Sequence, residues 1–69
     1  MPVLNAYRLK QLKQASGAED WTAAADICLE LSLKSKGTRD EFYVEEMATA
    51  VQRKDTEWLE FIIDQIVAN

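Results

Sequence analysis

Only three residues in this 69-residue chain break or bend a helix: Pro2, Gly17 and Gly37. Elsewhere the residues that cost a helix most are missing. The chain is therefore expected to fold as helices joined at a few caps and turns.

Hydrophobic spacing then divides it into four helices. Asn5 caps a first helix over about 5–15, with Leu4, Tyr7, Leu9, Leu12 and Ala15 as its apolar members. Gly17 sits where a helix C-terminus favours the left-handed conformation, and Lys10 and Lys13 suit the negative end of the dipole. A second helix over about 20–36 starts either at Asp20 or from a Ser16–Glu19 capping box. Trp21, Ala24, Ala25, Ile27, Cys28, Leu29, Leu31 and Leu33 cover more than half its circumference. Only Asp26, Glu30 and Lys34 form a polar stripe, so this helix is expected at the centre, touched from several sides.

Thr38 and Glu41 make a capping box for a third helix over about 39–53, whose inward stripe is Tyr43, Val44, Met47, Ala48 and Val51. Asp55 or Thr56 caps the fourth, about 56–68, with Trp58, Leu59, Ile62, Ile63, Ile66 and Val67 on one broad face. The run Phe61-Ile62-Ile63 suits a strand, but the period and the flanking acids favour helix. The expected fold class is all-α, a compact bundle of four short helices forming a single domain over 1–69. Short helices alternating with small residues at Ala23-Ala24-Ala25 and Ala48 resemble helical-repeat pairs, yet no internal repeat stands out in the letters.

Chemistry is sparse. Histidine is absent and Cys28 is the one cysteine, which removes the commonest general base and metal ligand and any internal disulfide. Cys28 lies between Ile27 and Leu29 and reads as a small buried hydrophobe. The carboxylate pairs Glu41/Glu45 and Glu60/Asp64 each share a helix face, but neither a Glu-x-x-His motif nor an EF-hand loop accompanies them. Gly17 and Gly37 stand too far apart to form a phosphate loop. No catalytic residue, metal site, cofactor or small-molecule substrate is expected, and the chain is not expected to be an enzyme.

The net charge of −4 opposes binding to nucleic acid or anionic membrane. A helix-turn-helix reader would carry basic or amide residues on its outer face, whereas the third helix carries Asp40, Glu41, Glu45 and Glu46. The N-terminal stretch lacks a basic region followed by an apolar one, and no apolar run is long enough to span a bilayer; a cytoplasmic setting is the default expectation. In scale and lack of chemistry the chain resembles the small accessory proteins of bacteria and their phages.

Two aromatics fit their helices poorly. On a helical projection Phe42 points about 160° away from Val44, and Phe61 points away from Ile63 and Val67. If exposed, they would form an aromatic surface among carboxylates, of the kind enriched at interface centres. Trp21 and Trp58 each begin a helix on its apolar side and read as helix contacts, though an exposed Trp there makes a binding anchor. The expected function is a non-enzymatic protein–protein interaction module, binding another protein or itself as a homodimer through the C-terminal helix. Its candidate partner-binding residues are Phe42, Glu45, Glu46, Trp58, Glu60, Phe61 and Asp64. The alternative is an acidic inhibitor that occupies the basic nucleic-acid-binding surface of another protein.

Overall fold

The computed structural model describes residues 6–68, which form four helices and no strand: α1 (Ala6–Gly17), α2 (Trp21–Ser35), α3 (Glu41–Gln52) and α4 (Thr56–Ala68). The expected cap Asn5 and core residue Leu4 lie outside the described residues. The helices close a ring in which α1 packs on α2 and α4, and α3 packs on the same two. The all-α four-helix bundle is therefore the fold.

Two of the three connections are the same device. After α1, Glu19 takes a left-handed φ of 60°, its N–H donates to the Ser16 carbonyl, and the Asp20 N–H donates to that of Ala15. After α3, Lys54 has φ 57°, its N–H donates to the Val51 carbonyl, and the Asp55 N–H donates to that of Ala50. Each is a Schellman closure, which satisfies carbonyls that the helix end would leave open. The aspartate that follows then caps the next helix. Asp20 accepts from the Ala23 N–H at 3.2 Å, and Asp55 from the Trp58 N–H at 3.1 Å. So Asp20, not Ser16, starts α2; Ser16 is buried inside α1, with its hydroxyl against that of Thr56.

Gly17 does not take the left-handed position expected of it. It stays in α1, the reversal falls two residues later at Glu19, and α1 outruns its expected end. An L-residue held at positive φ is strained, and glycine is not. Lys54→Gly is therefore expected to stabilise the domain by up to about 1 kcal/mol, or about 4–8 °C in melting temperature. A thermal melt followed by circular dichroism checks this. A lowered melting temperature would show that the Lys54 side chain contributes more than its backbone costs.

The third connection departs from expectation. Asp40 is the residue before α3, and the Thr38–Glu41 box does not form in its standard register. The Thr38 hydroxyl donates to the Ser35 carbonyl and accepts from the Asp40 N–H, while Glu41 reaches back one residue too far, to the N–H of Gly37. Gly37 has φ 80°, and the turn it makes displaces the start of α3 from 39 to 41.

The core gathers Leu9 and Leu12 from α1, Ala24, Cys28 and Leu31 from α2, Val44, Met47, Ala50 and Val51 from α3, and Leu59, Ile62 and Ile63 from α4. Among the described residues every buried side-chain nitrogen or oxygen has a hydrogen-bond partner. The expectation of a central α2 is corrected. It packs chiefly on α1 and α3, and Ala25, Leu29 and Leu33 face outward, because a four-membered ring gives each helix only two close neighbours. Tyr7 is also exposed, its hydroxyl accepting from the Gln11 side chain, and Val67 lies outside the core at the end of α4.

A repeat hidden in the sequence appears in the fold. Glu41 follows Ala6 by 35 positions, and Thr56 follows Trp21 by the same interval, so α3–α4 repeats the frame of α1–α2. The left-handed residues Glu19 and Lys54 keep that interval, as do the caps Asp20 and Asp55. So do the inward positions: Leu9 with Val44, Leu12 with Met47, Ser16 with Val51, Ala24 with Leu59 and Cys28 with Ile63 are all buried. The bundle is two helical hairpins built to one plan.

Candidate docking surface

The shared plan allows the two hairpins to be compared position by position, and their outer grooves differ. In the first hairpin the groove between α1 and α2 is lined by Arg8, Gln11, Gln14, Ala15, Ala23, Asp26, Ile27 and Glu30. Arg8 bridges across it to Glu30, which also accepts from Lys34 one turn later at 3.2 Å. The Lys34 hydrogen bond, with the nearby Arg8 charge, holds the Glu30 carboxyl below its ordinary value. This groove is a polar seam, with alanine at 23 and aspartate at 26.

The second hairpin carries aromatics at the matching places. Tyr43 stands where Arg8 does, Trp58 where Ala23 does, Phe61 where Asp26 does, and Phe42 matches Tyr7. Phe42, Tyr43, Glu46, Trp58, Phe61, Ile62 and Gln65 line a groove of about 270 Å³ between α3 and α4. Trp58 and Phe61 stack with ring centres 5.4 Å apart and planes within 16°, and Phe42 meets Tyr43 edge-on at 6.1 Å. Phe42 is 65% exposed, Phe61 52% and Trp58 43%. Toward the C-terminal end of α3 the cleft continues past Thr49 to Arg53 and Asp55.

Four of the seven candidate residues therefore line one groove: Phe42, Glu46, Trp58 and Phe61. Trp58, read as a helix contact, is exposed, and its ring stacks on Phe61 in the groove. Glu45 is exposed on α3, one turn from Phe42, and flanks the cleft. Glu60 and Asp64 do not join it. They share a face of α4 turned toward α1, where Asp64 lies 3.7 Å from Lys13. The spacing that puts Asp64 three residues after Phe61 also rotates it toward the neighbouring helix, and only the packing order settles which neighbour that is. Tyr43 and Gln65 belong to the groove and were missed, since Tyr43 reads as core and Gln65 carries no signal by type.

A second apolar cleft, about 380 Å³, runs between α2 and α3 along Trp21, Ala25, Leu29, Ser32, Ala48 and Gln52. Cys28 and Val51 form its floor. Burial pushes the Cys28 thiol up to about 11, so it stays protonated and unreactive in the folded chain. Among the described residues no group of His, Cys, Asp or Glu is placed to hold a metal ion, and no helix is long and apolar enough to cross a membrane. No known protein family, characterised protein or solved structure matches the chain.

Proposed function

We propose that this protein is a non-enzymatic interaction module that docks another protein in the aromatic groove of its second hairpin. One observation carries the reading. The first hairpin closes the same helix pair, with the same caps and buried positions, using Arg8, Ala23, Asp26 and Glu30. Trp58 and Phe61, which stand where the first hairpin has Ala23 and Asp26, are therefore surplus to making the fold. Large exposed aromatics in a cleft carry binding energy out of proportion to their number.

The test has two parts. The double variant Phe42→Ala, Phe61→Ala is expected to retain its helicity and to lose about 1–3 kcal/mol of stability, the worth of its two ring contacts. A photo-crosslinking amino acid placed at Gln65, on the groove wall, is expected to give one discrete adduct with another protein in cells, lost in that double variant. Unfolding of the variant, or an identical adduct from Lys10 on α1, would count against the reading.

A further inference from the structure

We infer that the occupant of the α3–α4 groove is an amphipathic helix of a partner protein, with basic residues flanking its apolar stripe. This rests on the docking reading above and adds the partner's chemistry. The walls of the groove are helices whose backbone groups are already bonded within α3 and α4. They offer no edge to an extended strand, so a segment that buries itself against the aromatics must satisfy its own N–H and C=O groups. A helix does that and a strand does not.

The dimensions agree. From Trp58 to Gln65 the aromatic groove follows α4 for about 10 Å, two helical turns. That length takes apolar anchors at i, i+3 or i+4, and i+7.

Charge selects the flanks. Glu46 lines the cleft, and Glu45 follows Phe42 by one turn on the outer side of α3. Arg53, the cation on the lining, stands at the far end beside Asp55. A helix lying between these walls therefore meets carboxylates along its α3 side, which favours lysine or arginine beside its anchors there. A second copy of the chain fits poorly. It brings a net charge of −4, and two cations of its most basic helix, Arg8 and Lys13, are engaged with Glu30 and Asp64 of their own chain.

Two labelled peptides, each about 12 residues long, test the inference by fluorescence anisotropy. Both carry leucine at i, i+4 and i+7; one has lysine at the flanking positions and the other has glutamate. The lysine peptide is expected to bind at least about tenfold more tightly, and to weaken severalfold as salt rises to about 0.3 M. Its binding should be lost in Phe42→Ala, Phe61→Ala and kept in Leu29→Ala, Leu33→Ala, which alters the other apolar strip. Equal or tighter binding of the glutamate peptide in the same groove would overturn the basic partner and leave the docking reading standing. Lysine-peptide binding that survives the Phe42, Phe61 double variant would overturn both. Failure of the lysine peptide to bind overturns the inference, as would a doubled mass in light scattering that depends on Phe42 and Phe61.

Discussion

Leu59→Ala is expected to leave most of the chain unfolded at room temperature. Leu59 is fully buried where α4 meets the rest of the bundle, and truncating such a leucine costs about 2–5 kcal/mol through lost transfer energy and the cavity left behind. A domain below about 70 residues seldom has more than about 3–5 kcal/mol in total, and here the single cysteine leaves the core without an internal disulfide. The repeat sharpens the point. The matching position in the first hairpin is Ala24, also fully buried, so the surroundings there are filled around a smaller side chain. At position 59 the surroundings are shaped for leucine. Urea titration followed at 222 nm should show little folded baseline for Leu59→Ala. Leu33→Ala, at an exposed site on α2, should shift stability by no more than about 0.5 kcal/mol. A Leu59→Ala protein that melts like its parent would mean that the bundle is held by something other than this core.

Helix number and type were legible because the sequence punctuates itself: aspartates and a threonine at the starts, and few breakers between. The finer geometry was not. A glycine attracts the left-handed position in any reading of letters, yet Gly17 is helical and Glu19 and Lys54 are left-handed. Those two positions are fixed by where each Schellman closure falls relative to the buried stripe, a tertiary requirement. The shared frame is faint in the letters for a similar reason. Along the two hairpins Ala15 and Ala50, Asp20 and Asp55, and Ile27 and Ile62 keep their identity, while Cys28 with Ile63 and Ser16 with Val51 keep only their burial. Burial is conserved by shape, and letters record shape loosely. The outlying positions of Phe42 and Phe61 were readable from helical angles alone. That they meet in one groove, while Glu60 and Asp64 turn toward α1, depends on the ring order of the helices, which no single helix specifies.

The same ring order makes the largest functional effect predictable. Writing the first hairpin's seam onto the second, as Tyr43→Arg, Trp58→Ala, Phe61→Asp and Gln65→Glu together, is expected to abolish docking while the bundle stays folded. The new Arg and Glu occupy the places of Arg8 and Glu30, which already bridge at a half-exposed site, so they contribute about 0–1 kcal/mol. Loss of the Trp58–Phe61 stack and of the contacts Tyr43 makes with the core and Phe42 removes about 1–3 kcal/mol, so the melting temperature is expected to fall while the bundle stays folded. Binding has no such compensation. Three aromatics leave with the four changes, and two of them, Trp58 and Phe61, acting as anchors worth about 2 kcal/mol or more each, already mean a loss of roughly a thousandfold in affinity for the lysine peptide. Circular dichroism and anisotropy on the one variant measure both quantities. Retained helicity with lost binding would assign the aromatics to docking. Collapse of the fold would show that the second hairpin needs its aromatics to close, and that the two hairpins share a frame without sharing what holds it.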